Sequence, residues 1–284
     1  MKIAYGVLAA CLLSYAAQAQ TDSTATQSKK HHTLSIGTDG IKFTNKEGRD
    51  TTINYKEVQE KTEKEEKAVS LEYLILDIGV NAINDKTNYM STDAQTFIQT
   101  SLPYMNKNLF DLRTAKSINV NLDPIIGKFR LVKTKSQKVY FYAGVGFQFY
   151  NFRYAKNISY RNDATPYVTL DTVSFSKNKL SITYLMVPLG FTLKTRLAEK
   201  TWLVYGAGVT GGYRIDSWTK QISGERGKQK NHDRFGLADF NACITGEIGL
   251  DNYFRLFGSY QVTSMYEHTL DQHPFSIGIR FGGI

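Results

Sequence analysis

The chain has 284 residues, of which 42% are hydrophobic, 13% aromatic and 21% charged, with a formal net charge of +9. That apolar content is enough for a core and excludes a disordered chain. Beyond residue 20 no run approaches the roughly 18 apolar residues of a membrane helix, which excludes a polytopic helical membrane protein. Eighteen tyrosines, 16 phenylalanines and 22 glycines against 5 prolines and 2 cysteines favour β-structure over a helical bundle.

The N-terminus reads as an export signal over residues 1–19. Lys2 supplies the positive start, Ile3 to Ala17 are free of charge, and Ala17-Gln18-Ala19 has the small-x-small pattern of a cleavage site before Gln20. Leu8-Ala9-Ala10-Cys11 offers a second reading, a lipoprotein box, but it leaves a short apolar core and strands Leu12, Leu13 and Tyr15 in the mature chain. Removing Cys11 leaves Cys243 without a disulfide partner, so this is not a disulfide-stapled scaffold. Residues 20–70 read as a periplasmic extension and linker. A polar leader, which includes His31-His32 as solvated residues, precedes short alternating runs over 34–55, with turns at Asp39-Gly40 and Glu47-Gly48. Lys56 to Lys67 is almost entirely charged, with Glu60–Lys64 and Glu63–Lys67 at helical spacing and only Val58 apolar, so it is a solvated spacer.

From Leu71 to the end the texture has period two. In Val139–Phe149, Val139, Phe141, Val145, Phe147 and Phe149 alternate with Tyr140, Tyr142, Gly144, Gly146 and Gln148. Likewise Leu185, Val187, Leu189 and Phe191 alternate with Met186, Pro188, Gly190 and Thr192. The same rule defines strands over 71–82, 116–127, 138–152, 180–194, 201–215, 237–250, 253–264 and 274–282. In chain order the connections 83–115, 128–137, 153–179, 195–200, 216–236, 251–252 and 265–273 number 33, 10, 27, 6, 21, 2 and 9 residues, so longer and shorter ones alternate. This predicts an all-β, eight-stranded antiparallel up-and-down transmembrane β-barrel over 71–284, with long loops at one mouth, short turns at the other and both chain ends on the short-turn side.

A soluble barrel alternates too, with its apolar face inward. Here the small-or-polar phase carries the mid-strand charges Asp77, Asp123, Asp239, Glu247, Arg255 and Arg280, which pair in a lumen just wide enough for side chains. Put outside, they would leave the Val/Ile/Leu/Phe phase overfilling that lumen. Phe141, Phe149, Tyr205, Tyr213, Phe254, Tyr260 and Phe281 lie near the ends of the apolar phase, as an interfacial aromatic belt requires.

Three phrases add a family resemblance: Leu74-Ile75-Leu76-Asp77-Ile78-Gly79-Val80-Asn81, Lys177-Asn178-Lys179-Leu180 leading to Tyr184-Leu185-Met186-Val187-Pro188-Leu189, and Gly212-Tyr213-Arg214-Ile215 followed by Thr219-Lys220. Over 71–284 the chain resembles the outer-membrane β-barrel domain family of Bacteroidetes, which includes PorT-like proteins. The resemblance implies an eight-stranded outer-membrane barrel and, through the PorT-like members, a role as accessory subunit of a secretion or envelope-assembly machine of type IX kind. It fixes no activity. One departure is that Phe281 is followed by Gly282-Gly283-Ile284, where such barrels often end on an aromatic.

No P-loop, His-Glu-x-x-His, cysteine cluster or nucleophile elbow is present, and Gly144-x-Gly146 and Gly206-x-Gly208 lie mid-strand with no helix after them. Neither a catalytic set, a cofactor nor a metal site is therefore expected. The competing enzyme reading is a lipid A-modifying barrel using Ser264, Glu267 and His268, with His232 and His273 in other loops. Lys220, Arg226, Lys228, Lys230 and Arg234 form a basic loop patch suited to lipopolysaccharide headgroups. Export makes nucleic acid an unsuitable partner for the positive charge. The expectation is a non-enzymatic, monomeric barrel with a filled lumen. It would contact outer-membrane lipid and lipopolysaccharide, or an envelope protein, through its basic and aromatic loops or through residues 34–67.

Overall fold

The computed structural model describes residues 33–37, 40–44, 50–54, 68–162, 165–198 and 201–282. The signal segment with Cys11, the leader to residue 32 and the spacer 56–67 lie outside the described residues. The chain divides into two units at Ala68/Val69. In the first, β1 (Thr33–Gly37), β2 (Gly40–Thr44) and β3 (Asp50–Asn54) form an antiparallel sheet in that order, with Gly37 opposite Gly40.

In the second unit the β-branched and aromatic alternation forms long strands. These are β4 (Val69–Asp85), β5 (Ile118–Lys133) and β6 (Gln137–Arg153), then a hairpin of β7 (Ile158–Asn162) and β8 (Pro166–Leu170). They continue with β9 (Lys177–Arg196), β10 (Trp202–Ser223), β11 (Gly227–His232), β12 (Phe240–Leu250), β13 (Arg255–Gln261) and β14 (Gln272–Phe281). Pairing runs β4-β5-β6-β9-β10-β12-β13-β14 and back to β4, a ring of eight antiparallel strands, with β11 hung on the outer half of β10. Each ring strand overlaps one of the segments expected from the alternation, with β5 and β10 running further than expected, to Lys133 and Ser223. The long connections carry α1 (Thr92–Phe97), the β7–β8 hairpin and β11, whereas 134–136 and 251–254 close the opposite end.

Two local irregularities matter. Pro124 in β5 has no N–H for the ladder. The register shifts there between Leu122 and Ile125, and Leu74 opposite adopts the left-handed φ of 61°. In β10 the register shifts between Arg214 and Asp216. The extra residue moves the outward face from odd to even positions. That is why the alternation seemed to stop at 215 and residues 216–236 read as a loop. They are in fact the extended end of β10, β11 and the connection to β12.

Burial is inverted relative to a water-soluble barrel. Around the ring, Ile78, Val145, Val187, Phe191, Val209, Ile248, Leu256 and Ile277 point outward and are exposed (Ile277 62%), while Asp77, Asp123, Lys128, Gln148, Thr192 and Arg255 point inward and are buried (Asp77 1%). Outward aromatics mark both ends of this belt. Phe129, Phe141 and Phe191 pack as tilted rings with centroids 6.2 and 5.5 Å apart near the short turns, while Phe147–Phe149 and Tyr213–Phe240 lie near the loops. Phe141 and Phe149 are eight residues apart, about 26 Å along the strand at ~3.3 Å per residue.

The apolar core of the unit lies at the loop end. Inward residues Tyr150, Phe152, Leu180, Ile182 and Tyr184 of β6 and β9 pack with loop residues that include Phe97, Ile98, Phe110, Ile158, Val168, Phe235, Leu237, Met265 and Tyr266. Isolated bridges Ile98–Val168, Leu112–Tyr154 and Leu237–Tyr266 tie separate loops together. The hydroxyls of Tyr154, Tyr160 and Tyr266 form a chain at 2.6 and 2.7 Å. The loops are thus a packed cap rather than four independent excursions.

Candidate functional site

Inside the ring, the small-or-polar phase assembles the charges the alternation placed there. Arg280 of β14 faces Asp77 of β4 in register. It donates to both carboxylate oxygens, Nε to Oδ1 at 2.7 Å and Nη2 to Oδ2 at 2.8 Å. Its third arm, Nη1, reaches Glu247 Oε2 at 3.1 Å, and Arg255 Nη1 reaches the same oxygen at 3.1 Å. Asn121 Nδ2 donates to Asp77 at 3.2 Å and Thr192 Oγ1 to Glu247 at 3.1 Å. Planar guanidinium forks shared between two carboxylates satisfy most of the charge in a space with few waters. Asp123 lines the same cavity, whose volume of about 30 Å³ holds a water or two rather than a solute.

Glycines create the room for larger inward groups. Gly190 and Gly208 pair across β9 and β10, and the Tyr142 hydroxyl lies where their Cβ atoms would be, 2.6 and 2.3 Å from the ideal positions. Nearer the short turns, Lys128 Nζ pairs with Glu72 at 2.5 Å and Lys194 Nζ with Asp251 at 2.8 Å. Neither pair stood out in the sequence, because Glu72 and Asp251 lie at strand ends.

Asp239 corrects the expectation of a luminal role. It precedes β12 at the loop end and pairs with Arg214 and Arg234, where Arg214 also bonds the Leu237 and Ala238 carbonyls. The other five expected network residues, Asp77, Asp123, Glu247, Arg255 and Arg280, line one cavity.

The basic patch divides. Arg226 is committed to Asp171 (2.7 and 3.1 Å) and Arg234 to Asp239. Lys220, Lys228 and Lys230 remain on the outward face of β10 and β11, and strand pairing brings further cations to them. Arg153, Lys179, Lys220 and Lys230 are successive cross-strand partners over β6, β9, β10 and β11. One step further out, Lys177 and Lys228 flank Ile222. Trp218, next toward the belt, has Lys179 Nζ and Lys230 Nζ each 4.4 Å from its ring centroid. Burial, then Lys177, Lys220, Lys230 and Arg153, push the Lys179 ammonium down to about 7, and burial and neighbouring cations also lower Lys177 and Lys220. Arg153, Lys177 and Lys179 were missed as site residues because they lie more than 40 residues from Lys220 in the chain and only register unites them.

Among the described residues no hydrogen bond links Ser264, Glu267 and His268. Ser264 Oγ donates to the Leu270 carbonyl at 2.7 Å and accepts from the Tyr266 N–H. His232 bonds Asp216 at 3.0 Å on the outer wall, and His273 lies between the Gln261 carbonyl and Asp271. Cys243 is buried in the lumen beside Tyr150. Among the described residues no group of three His, Cys, Asp or Glu side chains is placed to hold a metal ion.

No family model and no curated protein matches the chain. Among solved structures it is similar to Ail, the attachment invasion locus protein of Yersinia pestis, and to Ail in complex with the heparin analogue sucrose octasulfate. Each match is at 8% identity and a TM-score of 0.27, covering 74% of this chain and 98% of that one. A likeness at that score adds nothing to what the strand pairing shows. Among the described residues no helix is long and apolar enough to cross a membrane.

Proposed function

We propose that the protein is an outer-membrane β-barrel without enzymatic activity, its lumen filled by side chains, its short turns and N-terminal extension in the periplasm and its cap outside. The observation that carries this reading is the inverted burial. An outward belt of exposed apolar side chains encircles the ring, while carboxylates and guanidinium groups are sealed inside. Each such side chain gains roughly 1.5–3 kcal/mol on leaving water, so over the whole belt the preference for lipid is tens of kcal/mol. The filled lumen and water-sized cavity favour a scaffold over a pore. The resemblance of the three short phrases to the Bacteroidetes barrel family agrees with this placement.

Envelope fractionation with unboiled and boiled denaturing gels tests the proposal. A boiling-dependent mobility shift in the outer-membrane fraction is expected. Recovery with soluble periplasm and no shift would overturn it.

A second reading, accessory subunit of a secretion or envelope-assembly complex, is favoured by the separate β1–β3 sheet. Deleting 34–67 should then abolish co-purifying partners while leaving the heat shift. Unchanged partners and secretion would remove this reading. The lipid A-modifying reading is disfavoured by Ser264 being bonded to backbone, and His268→Ala should leave the lipid A profile unaltered.

A further inference from the structure

The outward face of β6, β9, β10 and β11 beyond the apolar belt holds like charges in an arrangement that folding alone disfavours. In successive register rows moving away from the belt, Phe147, Leu185 and Tyr213 are followed by Phe149, Thr183 and Asp216, and then by Asn151, Ser181, Trp218 and His232. Next come Arg153, Lys179, Lys220 and Lys230, a row of four cations, and after it Lys177, Ile222 and Lys228. Like charges directly opposite each other across strands are destabilising. The nearest acid on this face, Asp216, is engaged by His232. Among the described residues no carboxylate forms a salt bridge with any of these six cations.

We propose that this wall binds the phosphate groups of outer-leaflet lipid headgroups, with Arg153, Lys179, Lys220 and Lys230 as the main row, Lys177 and Lys228 behind it and Trp218 seated at the interface. The proposal rests on the outer-membrane reading and names the ligand of that surface. Three features select a lipid over a soluble polyanion. The row is on the barrel's outer wall, continuous with the lipid-facing belt. It begins four residues, about 13 Å along a tilted strand, beyond Phe149, within reach of a headgroup layer for flexible lysine side chains. An indole flanked by two ammonium groups is amphipathic in the manner of interfacial anchors. Each phosphate that enters offsets the mutual repulsion of the row, so the cost carried by the free wall is returned on binding.

The test uses the full-length protein with Trp202→Phe, which leaves Trp218 as the single tryptophan reporter. It is placed in phosphatidylcholine nanodiscs with diphosphoryl lipid A, with dephosphorylated lipid A, or with neither. The readouts are Trp218 emission, lipid retained per protein by native mass spectrometry, and the boiling shift. Retention of the diphosphoryl lipid and an emission change that depends on its phosphates are expected. Lys179→Gln, Lys220→Gln and Lys230→Gln combined should lower retention on the order of a hundredfold, and arginine at the same three positions should preserve it.

Equal retention by the parent and the glutamine variant, both with an intact boiling shift, would overturn the proposal while leaving the barrel reading standing. A response of Trp218 to soluble polyphosphate but not to bilayer lipid A would overturn it in favour of a soluble polyanion. Loss of the boiling shift in the parent itself would sink the outer-membrane reading, and this site with it.

Discussion

Along β6 the inward phase changes from Tyr140, Tyr142, Gly144, Gly146 and Gln148 to Tyr150 and Phe152, and along β9 it changes from Thr192, Gly190 and Met186 to Tyr184, Ile182 and Leu180. The first set belongs to the stretch of ring surrounded by the apolar belt, the second to the stretch beneath the cap. Where the outside is apolar, the polar side chains of the chain can only go inward, and they are tolerated there because Arg280, Arg255, Asp77 and Glu247 satisfy one another. Where the wall rises into water, ordinary globular logic returns, with apolar residues inside and lysines outside. The same two strands therefore follow two opposite burial patterns, and the switch occurs near Gln148 and Tyr184.

The largest effect should come from breaking the polar half. Asp77→Ala leaves Arg280 buried without its bidentate partner, a loss of about 3–5 kcal/mol. The temperature at which the unboiled band converts to the boiled one should fall clearly, whereas replacing Asp77 and Arg280 together by Leu and Met should recover much of it. An unchanged conversion temperature for Asp77→Ala would mean that the network does not hold the ring.

In the apolar half, Ile158→Ala removes a fully buried side chain at about 2–4 kcal/mol. Because the cap is built from loops, the expected outcome is protease cutting within 154–176 with the boiling shift retained. Tyr160→Phe is smaller, about 1–3 kcal/mol, since it strips the central hydroxyl from the Tyr154–Tyr160–Tyr266 chain and leaves two buried phenols to find other partners. Faster amide exchange in β7 and β8, with none in β12, would be its signature.

The last effect concerns pH. The folded Lys179 ammonium, lowered to about 7 by burial and then by Lys177, Lys220, Lys230 and Arg153, compares with 10.5 for the unfolded group. Between those values the unfolded chain binds more protons, so stability rises with pH from 7 to 10.5, and the cost is fully present below 7. Denaturation midpoints in phosphatidylcholine should rise across that window, and Lys179→Met should flatten the rise. Asp216 and His232, on the neighbouring strands, are unchanged in that variant.

All eight ring strands were legible in the sequence because a wall that is apolar outside and encloses a narrow polar lumen forces a strict period of two, as in Leu185–Phe191 against Met186–Thr192. Five of the six expected network residues followed from the same phase. Asp239 did not, since its odd position matches the luminal phase but its strand starts one residue later, at Phe240. The cap was less legible. Its contacts join residues as distant as Phe97 and Tyr266, whose rings lie 5.3 Å apart, and no local pattern records such pairs. One signal was nevertheless present: over Leu180, Ile182 and Tyr184 the inward phase carries large apolar and aromatic side chains in place of the small Gly190 and polar Thr192. The basic wall was hidden by the irregularity at Arg214/Asp216, which moved Trp218 and Lys220 to the face opposite the one a continuous alternation assigns.

The Asp77–Arg280 fork joins the first and last strands of the ring, the two that are furthest apart in synthesis. A slip of one residue in their alignment would turn Arg280 to the apolar outer face, and a slip of two would carry its fork past the carboxylate by about 7 Å. Only one alignment of β14 on β4 gives both oxygens a donor and Gly278 its place against Gly79. The seam thus acts as a built-in check on assembly: the chain is rewarded for closing only when the last strand has arrived in full register.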